Sequence, residues 1–313
     1  MTAPPPLKLD YRPRLADTRP LSDEGRGLES LERGPRVSPI DDFVGRTGYQ
    51  SGFLGFEVPL PQAVDAATDD VLPVDGGGTR LDYEHFSVIM SKSRRMAIAV
   101  GCNIDGASAV SIERGKDKWA YDGRIPIEAQ IGESLYAGSG LDRGHLVRRE
   151  DPNWGAATTA ATANQDTFHF TNCSPQMGAF NQRSWLGLET YILSNTRRWG
   201  ERTTVFTGPV FRDDDPVYRD VRIPVAYWKV VAFVHDDGRP SATGYLVDQS
   251  RELRALEAAF GPYKTYQRSI RSIEQATSLS FGALSQYDAF SNEEQATGTH
   301  IVLELDRLGE IRL

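Results

Sequence analysis

The run from residue 225 to 234 sets the strongest limit on what this chain can fold into. Its residues, Val225, Ala226, Tyr227, Trp228, Lys229, Val230, Val231, Ala232, Phe233 and Val234, are β-branched or aromatic apart from two alanines and a lysine. Such residues suit a pleated, packed surface, so the run reads as a strand, and residues 203–207 and 241–247 read the same way. Together they predict a central sheet. Two further β-like runs, 86–90 and 96–100, flank the polar residues 91–95 and predict a hairpin with Lys92, Arg94 and Arg95 at its turn. Residues 103–140 carry mixed polarity and several glycines, which predicts loops and at most short strands. A short β-like run followed by a turn is expected over 168–175. Trp185, Leu188, Ile192 and Trp199 recur at helical spacing, so residues 181–198 are expected to be helical. Further helices are expected around 251–259 and 270–277. The tail from 299 to 313 reads as one more strand or as an interaction segment.

Domain organisation follows from where the core-forming residues begin. Residues 1 to about 40 hold Pro4, Pro5, Pro6, Pro13, Pro20, Pro35 and Pro39 among many charges, poor material for a packed core. From residue 41 to 78, Phe43, Tyr49, Phe53, Leu54, Phe56, Val58 and Leu60 could cover an apolar face of a neighbouring body. The expectation is an arm over 1–78, partly disordered and then docked, and a main domain over 79–313.

Charge narrows the function classes. Lysine and arginine total 35 against 43 acidic residues, a net charge of −8, so the chain as a whole should repel a polyanion and any nucleic-acid site must be local. No apolar run approaches the roughly 20 residues of a membrane span, and the first residues lack the apolar core of a secretory signal. A cytoplasmic location with no membrane partner is therefore expected, with export by a non-classical route as the alternative. Cys102 and Cys173 each lie in apolar-looking segments, the usual company of reduced, buried thiols; a single disulfide is the other reading.

Chemistry concentrates in residues 141–150, where Asp142, Arg143, His145, Arg148 and Arg149 crowd together. An unperturbed imidazole titrates near pH 6.5 and can accept a proton at neutral pH, while guanidinium forks hold phosphates through charge-assisted bonds. That suits a base beside a phosphodiester; a surface turn with solvated charges is the bland alternative.

The array Asp142-Arg143-Gly144-His145, then Thr171-Asn172-Cys173-Ser174-Pro175-Gln176, then Asn181 followed by Trp185, Leu188 and Glu189, resembles the DNA/RNA non-specific endonucleases. The resemblance covers roughly residues 81–284. It implies an α+β fold with a central antiparallel sheet flanked by helices and loops. It also implies a ββα-metal (His-Me finger) site, in which a two-stranded element delivers the histidine and the following helix delivers the metal ligand.

Carried over residue by residue, the resemblance makes His145 the general base on water, which needs a neutral imidazole within hydrogen-bond reach. Asn181 matches the direct ligand of Mg2+, with Mn2+ as the alternative ion. An uncharged oxygen ligand with several waters fits a hard cation better than zinc. A helix N-cap is the competing role for Asn181. Glu189, about two turns on and on nearly the same helical face, matches the residue that holds metal-bound waters, against a plain solvated charge. Arg95 matches the arginine on the scissile phosphate, with Arg94 its rival. Arg143 and Arg148 belong to the substrate-binding set, Asp142 is an internal partner that shapes the loop, and Asn172 is a positional residue or an ordinary turn former. Relatives often carry an arginine where this chain has Leu193, a departure that bears on substrate grip.

Every contact so implied is to phosphate, water or metal and none reads a base, so the expected activity is sequence- and sugar-non-specific hydrolysis of DNA and RNA, leaving 5′ phosphates. The alternatives are a catalytically silent scaffold that binds nucleic acid or protein, and a phosphodiesterase restricted to short nucleotides. A homodimer and an inhibitory or regulatory protein are the partners the family suggests.

Overall fold

The computed structural model describes residues 36–177, 192–194, 196, 200–235, 237–248 and 264–305. Its frame is an eight-stranded sheet. Arg80–Tyr83 (β1), Phe86–Met90 (β2) and Ala97–Asp105 (β3) form one side, and Arg202–Val210 (β6), Ala226–Val234 (β7), Pro240–Asp248 (β8), Lys264–Arg268 (β9) and Val302–Leu305 (β10) the other. The spatial order is β10-β9-β8-β7-β6-β3-β2-β1, and every neighbouring pair is antiparallel. A separate two-stranded ribbon pairs Leu141–His145 (β4) with Cys173–Met177 (β5). Helices bounded within the described residues include Glu133–Tyr136 (α1), Ala157–Asp166 (α2), Ile270–Thr277 (α3) and Ala289–Thr297 (α4).

Strand β7 reads as a nearly unbroken apolar run because both faces of the sheet are covered. In β7, Tyr227 and Val231 join a core that includes Val88, Val100, Leu146 and Val147, whereas Ala226, Trp228, Val230 and Ala232 join a second core with Ile270, Ile273 and Phe281. Successive side chains point to opposite faces, so burying both demands apolar residues at every position. Lys229 breaks the run chemically, yet it is 1% exposed. Its ammonium donates to Thr207 Oγ1 at 2.9 Å, which offsets part of the cost of burial.

Residues 36–78 pack across both cores. Phe43 lies edge-on to Tyr83 with centroids 5.5 Å apart, and the Arg124 guanidinium sits 3.7 Å over its ring. Tyr49 and Val58 enter the opposite core, where Tyr49 donates to the Val58 carbonyl at 2.6 Å. Two short ladders fasten the segment: Val37–Ser38 with Tyr121–Asp122, and Gln62–Ala63 with Leu279–Ser280. The expectation that the segment covers one face is thereby widened to two.

Several expectations change. Over 168–175 the order is reversed: a 3-10 turn at Phe170–Asn172 precedes the strand that begins at Cys173. The Asn172 side chain bonds the Thr167 carbonyl five residues back and the backbone of Val147, 25 residues away, contacts that a reading of neighbouring residues does not reveal. Both cysteines are free and buried, which removes the disulfide alternative. Within the expected tail, Val302–Leu305 form strand β10 on the sheet edge, and residues 306–313 lie outside the described residues. The expected helix at 251–259, the first 35 residues, Asn181, Trp185, Leu188, Glu189, Arg197 and Trp199 lie outside the described residues. Ile192, Leu193, Ser194 and Thr196 are helical, and Leu193 is buried in the sheet core, so this position faces inward and is closed to a phosphate.

Candidate active site

The β4–β5 ribbon carries His145 at its end, opposite Cys173. Within it Gly144 faces Ser174, and a Cβ at Gly144 would fall 2.1 Å from Gln176 Oε1, so a side chain there would have to displace the buried glutamine. The ribbon is tied to the central sheet through Tyr227, whose hydroxyl donates to the Pro175 carbonyl at 2.7 Å and lies 3.0 Å from Ser174 Oγ.

Asn172 secures the chain just beyond His145. Its Oδ1 accepts from Val147 N–H at 2.9 Å, and its Nδ2 donates to the carbonyls of Val147 and Thr167, each at 3.0 Å. Its own carbonyl accepts from Leu146 N–H at 2.9 Å. Position matters more here than reactivity: the amide is fully committed to backbone.

Two aromatic rings wall the imidazole. Trp119 lies 4.8 Å away, and Phe168 meets it edge-on at 5.1 Å. Burial is the main cause that pushes the His145 pKa down to about 4; Asp117 pulls it upward, and Arg114 and Arg149 add to the depression. The imidazole is therefore neutral at pH 7, and its Nε2 is buried with no hydrogen-bond partner among the described residues. Arg143 Nε, Arg148 Nη1 and both amide atoms of Gln176 share that condition. Buried polar groups are normally satisfied, so the orphaned nitrogens of His145 and Arg143, two positions apart on one face of the ribbon, with Arg148 just beyond it, are suited to meet a polar ligand, whereas Gln176 lies on the opposite face beneath Gly144.

The lowered pKa has a consequence for stability. Between pH 6.5 and about 4 the unfolded chain takes up a proton that folded His145 refuses, so stability falls as pH drops through that window and levels off below it. Buried His85 and His169 are shifted the same way, by desolvation first. Urea unfolding of wild type and His145→Gln at pH 7 and pH 4 isolates the term: the variant should lose about 2–3 kcal/mol less on acidification. Equal losses would contradict the assigned environment.

The two candidate arginines at the β2–β3 turn separate cleanly. Arg94 pairs with buried Asp215 at 2.9 Å, donates to the Arg212 carbonyl at 2.5 Å and lies over Phe211. Arg95 instead is exposed at its guanidinium end, bonded to the Asp220 carbonyl at 2.9 Å, and holds φ +58, a left-handed conformation that a non-glycine residue adopts at a cost. Its neighbour Met96 accepts from Ser174 Oγ at 3.6 Å, which docks the turn on the His145 ribbon. Arg143 forms an ion pair with Glu133 across the ribbon edge, and Arg149 pairs with Glu150 at 2.6 Å. Asp142 faces Gln176 in register.

The structure thus sets Arg143 and His145 on one face of the ribbon with Asn172 securing the chain beyond it, docks the Arg95 turn on the ribbon through Met96, and withdraws Arg94 into a buried pair. The sequence reading did not assign Trp119 and Phe168 to the site: Trp119 falls in a stretch of mixed polarity, and Phe168 read only as the start of a β-like run. Among the described residues, no group of three or more His, Cys, Asp or Glu is placed to hold a metal ion. His85 is a packing residue, stacked 3.4 Å from Trp154 and bonded to the Pro152 carbonyl, and His169 is bonded to the Asp166 carbonyl and Ser38.

With this geometry in view, comparison with known proteins is informative. The profile of the DNA/RNA non-specific endonuclease family matches residues 64–288. An uncharacterized protein, y4fB, of Sinorhizobium fredii is 38% identical over 300 residues, covering 85% of this chain, which spans only 44% of that relative's length. Nuclease C1 of Cunninghamella echinulata is 26% identical over 68% of this chain and 88% of its own length. Mitochondrial endonuclease G of Bos taurus is 30% identical over 47% of this chain and 49% of its own length. A crystal structure of an EndoG/EndoGI complex shares the fold at a TM-score of 0.52, with 20% identity, 64% of this chain and 84% of that chain covered. By the family match over most of its length, this chain belongs to the DNA/RNA non-specific endonucleases.

Proposed function

We propose that the chain is a Mg2+-dependent endonuclease that hydrolyses phosphodiester bonds of DNA and RNA without sequence or sugar preference. The observation that carries this reading is His145: a neutral imidazole with an unpartnered, buried Nε2 at the end of the ribbon. Such a nitrogen can take a proton from water as the water oxygen bonds to phosphorus. The bond to the 3′ oxygen then breaks, leaving a 5′ phosphate and a 3′ hydroxyl. Arg95 donates to the phosphate as negative charge grows on it, and Arg143 and Arg148 hold the flanking strand. Asp142 and Asn172 fix the ribbon that aims the base.

The donor chemistry suits a hard cation. Burial pushes the Cys173 thiol up to about 12 and the Cys102 thiol well above its ordinary range, so neither offers the thiolate that a zinc site would favour. Asn181 would hold Mg2+ through its amide oxygen, with Glu189 orienting the ion's waters; when bound, the ion offsets negative charge on the phosphate and the leaving oxygen. An inhibitory or regulatory protein, and a second copy of the chain, are the partners this reading admits.

The test is direct. Purified chain is incubated with supercoiled plasmid and with RNA, in Mg2+ and in excess chelator. Both substrates should be degraded to 5′-phosphorylated ends in Mg2+ and spared in chelator. Undiminished cleavage in chelator would overturn the metal requirement, and intact substrates in Mg2+ would overturn the activity.

A further inference from the structure

Beyond the Phe168 ring lies a second chemical environment that the cleavage site does not use. A cavity of about 460 Å³ is lined by Arg36, Arg114, Lys116, Lys118 and Arg149, with Phe168 on one wall. A smaller cavity of about 280 Å³ adjoins it and shares Arg36, Lys118 and Phe168. Glu113 is the acidic residue that also lines the larger one. Arg114 is partly engaged by Asp117 at 2.8 Å and Arg149 by Glu150, but no ion pair involves Lys116, Lys118 or Arg36 among the described residues. In a chain of net charge −8 this is a local excess of cations.

The end of α2 also contributes to this wall, and a helix C-terminus is ordinarily unfavourable to anions. Here its carbonyls are occupied. Ala163 O accepts from Thr167 N–H, Asn164 O from Thr167 Oγ1, Gln165 O from Phe168 N–H, and Thr167 O from Asn172 Nδ2, while Asp166 O contacts His169 Nδ1. The carboxylate of Asp166 is likewise bound by Arg46 at 2.7 Å and by Glu84 N–H at 2.9 Å. The negative end of the helix is thereby masked; Asp42 lines the smaller cavity and Glu113 the larger, and the basic side chains outnumber them.

Continuity with the cleavage site comes from Phe168 itself. One edge of its ring meets His145 at 5.1 Å, and the same residue walls both cavities. Basic side chains along a trough with an aromatic residue on its wall are what a single nucleic-acid strand requires: phosphates on the cations, a base against the ring. Resting on the proposed nuclease reading, we propose that this trough is a strand-binding subsite, where Lys116, Lys118 and Arg36 take phosphates next to the one being cut.

The experiment separates binding from cutting. Anisotropy of fluorescein-labelled oligothymidylate and oligouridylate is followed in excess chelator across a salt titration, for wild type, Lys116→Gln/Lys118→Gln, and Arg271→Gln. Arg271 is the charge control because α3 packs on the opposite sheet face. Loss of two single-strand phosphate contacts should weaken binding on the order of tenfold at low salt and reduce the slope of log affinity against log salt by about 1.4. The control should leave the slope unchanged. An unaltered slope in the double variant, or an equal loss in the control, overturns the subsite, including the case where the trough serves an acidic protein segment instead. If the slope changes as expected and the chain cuts nothing in Mg2+, the subsite stands and the hydrolytic reading falls. If cleavage depends on His145 while the slope is unaltered, the reverse holds.

Discussion

Replacing His145 with alanine is expected to lower plasmid cleavage on the order of 10³-fold, the usual contribution of a positioned general base. The argument is specific to this nitrogen. Burial keeps the ring neutral, Trp119 and Phe168 hold it in place, and Nε2 is left with no internal partner. Removing the ring deletes the proton acceptor and leaves the phosphate-binding arginines intact, so oligonucleotide affinity in chelator should change little. Cleavage at more than a tenth of the wild-type rate, in a variant whose thermal melt shows a folded protein, would remove His145 from the base role.

Asn172→Ala is expected to cost about 3–5 kcal/mol of stability, because a buried donor or acceptor stripped of its partner costs about 1–3 kcal/mol and three are stripped at once. These are Val147 N–H and the carbonyls of Val147 and Thr167. The site is fully buried, which limits relief from water. Below the melting temperature, cleavage should also fall, since the residues after His145 lose their anchor. Urea titration of both proteins decides it: a difference under about 1 kcal/mol would make Asn172 a dispensable turn residue.

Adjacent residues show where the sequence stops being sufficient. Arg94 and Arg95 are chemically equivalent on paper, and only the fold commits Arg94 to Asp215 while turning Arg95 out at positive φ. Leu193 could be read as a lost phosphate contact; its burial against the sheet shows a position spent on the core. Trp119 and Phe168 lie 49 residues apart in sequence, and no local pattern announces that both will wall one imidazole. Lys116 and Lys118 carry no motif of their own, and only the fold sets the end of α2 beside them.

What the sequence determined by itself was whatever depends on local composition and motif. The long β-branched and aromatic runs could only be strands, and 270–277 and the turn at 91–95 were likewise legible. The motif around His145 pointed to the family, and β4 and β5 form the two-stranded element it implied. Tertiary structure decided the rest: which sheet face each core residue fills, how residues 36–78 pass over both faces, and how far His145 is desolvated. The physical reason is that burial, orphaned hydrogen-bonding groups and the field of distant charges arise from contacts between segments remote along the chain, and these exist only once the sheet has brought them together.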